Sequence, residues 1–324
     1  MRSQEFIRVA SLLAMTLFCT DVCFSQTLPN FSSIQRGTNR EVSLQLSVTS
    51  GKGYRVQVSP DAHNWNSLST LISTGTNNFA DSGTPYLPLR FYRAEELSET
   101  NVFTGDHLQT AEGDLIVHPI NHASFVMNWN GKWIYNDPVL GATPYKNIPK
   151  ADLILISHSH TDHFDAATLT AVKGTNCIII APQAVYSSLN AALRTNTIVM
   201  ANGSTTNILG LKIDAIPAYN SNHPIGTGNG YVVTIGGKRL YMSGDTGDIA
   251  EMKALQNIDM AFVCMNVPYT MTIPQAVGAV RTFRPAVIYP YHYRNQDNSL
   301  ANLNLFKAQV SNDVNVEVRL RKWY

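Results

Sequence analysis

The pattern of apolar and polar positions changes at about residue 97. Before that point, residues 27–96 contain short runs in which side-chain character alternates, such as YRVQVS (54–59) and RFYRA (90–94). Clusters of Gly, Ser, Thr, Asn and Pro separate these runs. Alternation with a period of two predicts half-buried strands, and the polar clusters predict turns. Residues 27–96 are therefore predicted to form a small β-sandwich module.

Residues 97–324 instead show apolar strands that alternate with helical segments. The continuous apolar run ADLILISH (151–158) predicts a buried strand, and helices are predicted at 165–173 and 182–194. Further strands are predicted at 113–120, 123–129, 132–138, 176–182, 211–218, 230–237, 238–245, 258–266 and 285–292. Strands covered by helices indicate a layered α/β architecture.

Local signals place several element ends. Asn130-Gly131 is a hairpin signal between two of the predicted strands, since this pair favours a tight turn. Asp165 is predicted to cap the helix that follows it. Thr272 and Gln275 have the spacing of a capping box and predict the start of the helix IPQAVGAVRTF.

The first 25 residues have the pattern of a signal peptide. A positively charged start precedes a largely apolar stretch from Val9 to Phe18, and small side chains precede a plausible cleavage point between Ser25 and Gln26. The apolar stretch is shorter than the roughly 20 residues that a membrane span needs. We expect export to the periplasm or the medium without membrane attachment after cleavage; an uncleaved anchor is the alternative.

Charge and cysteine content narrow the choice of partners. The net charge is +1, and no cluster of Lys and Arg indicates binding to nucleic acid or to an anionic membrane. A small-molecule substrate remains open, as does the oligomeric state. Outside the leader, Cys177 and Cys264 lie in apolar strand-like runs and are expected to be buried, unpaired thiols, with a disulfide as the alternative.

The segment LISHSHTDHFD (155–165) contains the densest candidate chemistry. Residues i and i+2 at a strand end point to the same side, so His158 and His160 can share one cation while Asp162 and His163 face a neighbouring one. Imidazole nitrogen and carboxylate oxygen suit zinc or another first-row divalent ion. The alternative is a chance cluster of solvated histidines.

Three other predicted strand ends supply ligand-type residues. Asp245 ends RLYMSGD, His292 ends VIYPYH, and His223 lies in a loop rich in Asn, Gly and Pro after the strand that ends at Ala218. Sites are commonly assembled on loops at strand ends, so we expect these residues to converge with the first segment. His63 and His107 lie outside this pattern and are expected at the surface.

These segments together resemble a known family. SHSHTDHFD, NHASF, YNDPV, HPIGTGNGY, YMSGDTGDIAEM, PYTMT and YPYHYR are similar to segments of the metallo-β-lactamase-fold hydrolases, in the branch of ascorbate-phosphate lactonases and N-acyl-phosphatidylethanolamine phospholipase D. The resemblance covers about 105–324 and implies a four-layer αββα sandwich and a metal-dependent hydrolase. Residues 27–96 resemble accessory modules of exported bacterial proteins, in which Trp65 is expected in the core rather than as a sugar-binding platform.

The resemblance also implies roles for individual residues. Asp245 would bridge two metals, and Asp137 would hydrogen-bond the ligand loops. His122 would contact substrate or an oxyanion, or else be a buried supporting histidine. One departure is Asn220, which could replace His223 as a ligand, although imidazole binds such ions better than an amide does. The implied ligands are His158, His160 and His223 for one metal, and Asp162, His163 and His292 for the other.

The expected mechanism follows from two divalent cations, zinc by preference and manganese or iron as alternatives. A metal-bridging hydroxide would attack an ester, lactone, phosphodiester or amide bond, and Asp162 would steer its proton. No motif for a serine or cysteine nucleophile is present. Two other interpretations are a di-iron redox enzyme on the same fold and a binding protein that retains metal without turnover.

Overall fold

The computed structural model describes residues 29–37, 41–83, 89–99, 101–311 and 315–324. The predicted signal peptide, residues 1–25, lies outside these ranges. The chain divides into two compact units, Met1–Gln109 and Thr110–Tyr324, whereas the sequence pattern changes at about residue 97. In the described ranges, every helix is too short or too polar to span a membrane.

The first unit is all-β in its described part. Two antiparallel sheets have the strand orders β1-β2-β5 and β6-β3-β4-β7. Buried residues from both sheets form one apolar core that includes Leu44, Tyr54 and Tyr92, which makes the unit a β-sandwich. The strands are β1 (Asn30–Arg36), β2 (Val42–Ser47), β3 (Gly53–Ser59), β4 (Asn66–Ile72), β5 (Thr76–Asp81), β6 (Phe91–Leu97) and β7 (Gly105–Thr110).

Two aromatic side chains of this unit differ from expectation. Trp65 is partly exposed rather than in the core, and the Arg93 guanidinium lies 4.4 Å from its ring centroid. His107 is buried, so its expected exposure was wrong. Its Nε2 lies 2.7 Å from Thr70 Oγ1. This polar partner offsets the cost of burying the imidazole, and the spacing of the sequence did not reveal it. His63 is exposed.

The second unit contains two mixed sheets. In the first, β8, β9 and β10 are antiparallel and β10 to β13 are parallel, with helices α1 to α3 in the connections that parallel strands require. The strands are β8 (Gly113–Asn121), β9 (Ser124–Trp129), β10 (Lys132–Asn136), β11 (Ala151–Leu155), β12 (Lys173–Ala181) and β13 (Thr197–Val199), and the helices are α1 (Ala166–Val172), α2 (Gln183–Ser188) and α3 (Ala191–Arg194).

The second sheet of this unit has its seven strands in chain order, β14 to β20. Phe125 of the first sheet stacks on Phe262 of the second with ring centroids 4.2 Å apart, so the two sheets face each other across the core. With helices in the crossovers of each sheet, this is the predicted αββα sandwich. The elements are β14 (Thr205–Ile208), β15 (Leu211–Ala218), β16 (Gly228–Ile235), β17 (Lys238–Met242), β18 (Met260–Cys264), β19 (Val287–Tyr291), β20 (Glu317–Val318), α4 (Ala250–Lys253), α5 (Ile273–Phe283) and α6 (Leu303–Ser311).

The predicted turn and caps are confirmed. Asn130 and Gly131 have φ of 49° and 73° in the β9–β10 hairpin, as a tight primed turn requires. The Asp165 side chain accepts hydrogen bonds from two backbone N–H groups at the start of α1. Thr272 and Gln275 form the capping box of α5.

The prediction of one helix over 182–194 was wrong. Leu189 has an extended backbone, and the chain restarts as α3 with Asn190 as its cap. The Asn190 side chain accepts a hydrogen bond from Leu193 N, a local alternative to continuing the helix.

Cys177 and Cys264 are buried free thiols, as predicted. Burial raises the pKa of Cys177 to about 12 and that of Cys264 to about 11. Both thiols therefore stay neutral at physiological pH and are weak nucleophiles. The chemistry of the chain must depend on other groups.

Candidate metal centre

The loops after four strands of the second unit meet at one place. The loop after β11 contains four polar residues of the H-x-H-x-D-H segment, the loop after β15 contains His223, and β17 and β19 are followed by Asp245 and His292. The β8–β9 turn adds His122. The structure thus brings together every metal-ligating candidate that the sequence singled out.

Three histidines form what we call the first cluster: His158, His160 and His223. One ring nitrogen of each lies within 4.8 Å of the others. His158 and His223 are buried, whereas His160 is exposed. This arrangement matches the spacing argument for the first two, which come from one strand end and face one point.

The second cluster consists of His122, Asp162, His163 and His292, whose ligand atoms also lie within 4.8 Å of one another. His163 and His292 are almost fully buried, while the Asp162 side chain is 47% exposed. Asp162 Oδ2 lies 3.4 Å from His292 Nε2 and 3.8 Å from His163 Nε2. The cluster combines imidazole and carboxylate donors, the set that zinc and similar ions prefer.

Asp245 lies between the two clusters and faces each with a different oxygen. Its Oδ1 is 3.3 Å from His163 Nε2 and 3.4 Å from His292 Nε2. Its Oδ2 is 3.5 Å from His223 Nε2 and 3.9 Å from His158 Nε2. A carboxylate with this placement can serve a cation on each side.

Several buried atoms of the site have no hydrogen-bond partner among the described residues. Among them are Asp245 Oδ1 and the Nε2 atoms of His158, His163 and His292. An unpaired buried polar group costs about 1–3 kcal/mol, so native proteins rarely leave several together. These atoms converge on the centres of the clusters, where cations would satisfy them. The residues therefore fit a metal site.

Asp137 supports both clusters through hydrogen bonds. Its fully buried carboxylate accepts hydrogen bonds from Ser157 N and Ser157 Oγ, at 2.7 and 2.8 Å, and lies 2.8 Å from His163 Nδ1. Ser157 Oγ also lies 3.0 Å from His158 Nδ1. Because these partners engage Nδ1, the Nε2 atoms of His158 and His163 are left to face the cations.

Asn220 supports His223 rather than replacing it. Asn220 Oδ1 accepts a hydrogen bond from His223 N at 3.1 Å and lies 3.0 Å from His223 Nδ1. His223 Nε2 then points into the site, 3.3 Å from His160 Nδ1. This geometry leaves the His223 imidazole, and not the Asn220 amide oxygen, facing the first cluster.

His122 contacts the second cluster directly. Its Nε2 lies 3.0 Å from Asp162 Oδ2, and its ring centroid lies 3.6 Å from that of His292. Its Nδ1 lies 2.7 Å from the hydroxyl oxygen of Tyr324. Burial, opposed by Asp162 and reinforced by His292 and His163, lowers the pKa of His122.

Three residues of the centre have a left-handed backbone: His122, Asp137 and His292, with φ of 56°, 42° and 47°. This region is unfavourable for residues other than Gly by roughly 1–3 kcal/mol, and it persists where surrounding contacts impose it. All three lie at the ends of strands, where the strained turn directs the side chain into the site.

Charge is unevenly distributed over the two clusters. Burial alone would lower the pKa of His163, but the carboxylates of Asp245 and Asp137 raise it well above its usual value. Burial lowers the pKa of His158 and of His223. Burial would raise the pKa of Asp162, yet the hydrogen bond from His122 and the nearby imidazoles hold it below its ordinary range. Asp162 therefore stays ionised.

Sequence reasoning missed three residues of the centre: the supporting Ser157, the orienting role of Asn220, and Tyr324. Ser157 lies within the conspicuous histidine segment, so its position next to His158 was an available signal. Tyr324 is separated from His122 by 202 positions and offered none.

Comparison with known proteins gives consistent relatives. Residues 117–292, more than half of the chain, match a family model described as a β-lactamase superfamily domain. A UPF0173 metal-dependent hydrolase of Thermococcus kodakarensis is 32% identical over 212 residues, a match that covers 61% of this chain and 93% of the relative.

Two solved structures are also similar. A protein described as a metal-dependent hydrolase, from Parabacteroides distasonis, has a TM-score of 0.62 at 36% identity, and the match covers 69% of this chain and 100% of that one. A metallo hydrolase from Ignicoccus hospitalis has a TM-score of 0.57 at 27% identity, covering 64% of this chain and 95% of that one.

Proposed function

Because the chain belongs to the β-lactamase superfamily, as a metal-dependent hydrolase with the metallo-β-lactamase fold, we propose that it works with two divalent cations. The bond it cleaves is an ester, lactone, phosphodiester or amide bond of a small molecule. One cation is held by His158, His160, His223 and Asp245. The other is held by Asp162, His163, His292 and Asp245.

The observation that supports this proposal most strongly is the orientation of Asp245. Its two oxygens face different groups of imidazoles, at 3.3–3.4 Å on one side and 3.5–3.9 Å on the other. A carboxylate that binds one cation needs only one of its oxygens near that cation. Binding of one cation therefore does not explain why the second oxygen lies near two further imidazoles. Shared use by two cations accounts for both contacts.

Two cations in these positions would supply the chemistry of hydrolysis, by acidifying water and polarising the substrate oxygen. The side chains of the chain do the rest. Asp162 is ionised and half-exposed, so it can accept a hydrogen bond from the attacking water and orient it. His122 holds that carboxylate through Nε2. His160 is exposed as well, and substrate enters from the side of the site where His160 and Asp162 lie.

We further propose zinc as the metal. The two clusters and Asp245 together offer mainly imidazole nitrogen, with carboxylate oxygen in second place, and this set binds zinc more readily than magnesium or calcium. Manganese or iron would fit the same donors. Elemental analysis of the protein purified without added metal decides among them.

Export is proposed from the leader-like pattern of residues 1–25. The test is expression of the full chain in a bacterial host, followed by sequencing of the N-terminus of the protein recovered outside the cytoplasm. A mature chain that starts at Gln26 supports the proposal. An intact N-terminus on protein that remains in the cytoplasm contradicts it.

The hydrolase proposal is tested with a panel of lactones, phosphodiesters, esters and chromogenic lactams, after loading with zinc, manganese or iron. The matched control is His160→Ala, which removes one exposed ligand and leaves the buried support intact. We expect at least one substrate class to be cleaved by the loaded protein and not by the variant. Equal rates for both proteins would contradict the proposal and favour a binding role.

A further inference from the structure

Tyr324 contributes a hydroxyl beside the metal centre. Tyr324 Oη lies 2.7 Å from His122 Nδ1 and accepts a hydrogen bond from the backbone N–H of Arg294 at 3.2 Å. The Arg294 guanidinium lies 4.0 Å from the centroid of the tyrosine ring. The hydroxyl is therefore held from two directions.

The position of Tyr324 is set by the core and by the strands of the site. The preceding Trp323 is fully buried, with its ring centroid 5.9 Å from those of Phe125 and Tyr291. His122 N donates a hydrogen bond to Trp323 O at 3.1 Å, and His292 N donates to His122 O at 3.1 Å. The segment that contains Trp323 and Tyr324 is thus hydrogen-bonded to the backbone that positions the second cluster.

The donors and acceptors around Tyr324 determine where protons lie. A tyrosine hydroxyl has one proton to donate, and Tyr324 Oη already accepts from Arg294 N. The Asp162 carboxylate can only accept, so His122 Nε2 is the donor across that contact, and Nδ1 of the neutral ring is left to accept the Tyr324 proton. A neutral imidazole that accepts at Nδ1 carries its proton on Nε2. That proton points at Asp162 Oδ2, 3.0 Å away.

We propose that Tyr324 is a positioning residue, which selects the Nε2-protonated form of His122 and thereby holds the Asp162 carboxylate in the second cluster. The inference rests on the proposed metal-dependent function of that cluster. It matters because Asp162 lies on a loop and is half-exposed, and His122 Nε2, at 3.0 Å, is closer to its carboxylate than the imidazoles of His292 and His163 are. It also makes His122 a donor to Asp162 and not a metal ligand, since a protonated Nε2 cannot bind a cation.

The first test does not depend on activity. Nitrogen-15 NMR of histidine-labelled full-length protein, metal-free and at pH 8, reports which ring nitrogen of His122 is protonated, with His122→Gln used for assignment. We expect the Nε2-protonated form in the wild type and a mixture of both forms in Tyr324→Phe. The zinc-loaded wild type should keep the proton on Nε2. An unchanged form in Tyr324→Phe, or zinc bound at His122 Nε2, overturns the inference.

The matched control is Tyr293→Phe. The Tyr293 hydroxyl contacts Trp323 N and Arg321 O in the same chain end, but not His122. If Tyr324 acts only by keeping the chain end in place, both variants should change the His122 signal equally. We expect Tyr293→Phe to leave it as in the wild type, and an equal change in both variants contradicts the inference.

The second test measures coupling. Tyr324→Phe should weaken one of two zinc sites and lower kcat by about 10- to 100-fold, as is typical for residues that support ligands. In a His122→Gln background, the same substitution should change zinc affinity and kcat by less than about twofold. The reason is that the imidazole through which Tyr324 acts on Asp162 is then absent. A full loss in that background overturns the inference. If the wild type neither binds two zinc ions nor hydrolyses any substrate, the proposed function fails, while the NMR result still decides the role of Tyr324.

Discussion

The two clusters of the centre differ in how their ligands are supported. In the second cluster, His163 is hydrogen-bonded to the buried carboxylate of Asp137, and Asp162 is held by His122. In the first, His223 is oriented by the amide of Asn220 on a partly exposed loop, and His160 is exposed. Charged, buried support fixes a ligand more firmly than a neutral group on a loop does. The sequence motif supplies ligands to both clusters, but other residues set their rigidity.

Protonation differs between the clusters as well. His163 of the second cluster has a raised pKa, because two carboxylates adjoin it. His158 and His223 of the first have lowered pKa values, because burial disfavours their charged forms. His158 and His223 are thus ready to bind a cation at neutral pH, while His163 must release a proton first.

The largest effect is expected at Asp245, the residue that faces both clusters. Asp245→Asn keeps the shape but removes the charge that faces both sides. We expect hydrolysis to fall by about 10³-fold or more, since metal-assisted stabilisation of a transition state amounts to several kcal/mol. Binding at both clusters should weaken in a zinc titration. Weakening at one cluster alone would show that Asp245 is not shared.

Removing the charge of Asp137 should affect the second cluster more than the first. Asp137→Asn should reduce zinc affinity at that cluster by about 10- to 100-fold and leave the first within a few-fold, because Asp137 bonds His163 directly and His158 only through Ser157. The readout is zinc competition against a chelating dye. Asp152→Asn is the control, since Asp152 accepts a hydrogen bond from Trp133 N away from the centre. An equal loss in both variants would mean that Asp137 acts through stability alone.

The fold and the convergence of the candidate ligands could be predicted from the sequence for a common reason. The strands are apolar runs, and the ligands lie directly after them, as Asp245 follows β17 and His292 follows β19. A buried strand limits where its following residue can lie, so residue type and strand order together predict convergence. The convergence joins strands of two sheets, since β11 lies in the first sheet of the unit and β15, β17 and β19 lie in the second.

The features that the sequence did not predict depend on contacts that no local pattern encodes. Tyr324 reaches His122 across nearly the whole second unit, and the break between α2 and α3 depends on one side chain, Asn190, which competes with the backbone. The buried state of His107 likewise depends on Thr70, a partner 37 positions away. Pairings of this kind follow from the packed structure and not from periodicity.

The pH dependence of metal binding should separate the clusters. Since the pKa of His163 is raised, its protonated form prevails below that pKa, and a cation must displace the proton; affinity at the second cluster then falls about tenfold for each pH unit of acidification. His158 and His223 have lowered pKa values and add no such slope near neutral pH. Calorimetric zinc titrations between pH 6 and 8 should show two sites with different slopes. Parallel slopes would contradict this distinction.

The smallest effect is expected at the support of the first cluster. Asn220→Ala removes a neutral hydrogen bond to His223, of roughly 1 kcal/mol, and should weaken zinc at that cluster by about fivefold. Asn222→Ala is the control, since Asn222 donates to Pro268 O from the same loop without contacting a ligand. Loss of zinc from the second cluster in Asn220→Ala would contradict the separate support of the two.

The central claim is that two cations lie on opposite sides of Asp245, and anomalous X-ray scattering from crystals of the zinc-loaded protein tests it most directly. Data collected at the zinc edge should show two peaks, one among His158, His160 and His223 and one among Asp162, His163 and His292. A single peak, or two peaks on the same side of Asp245, would contradict the claim.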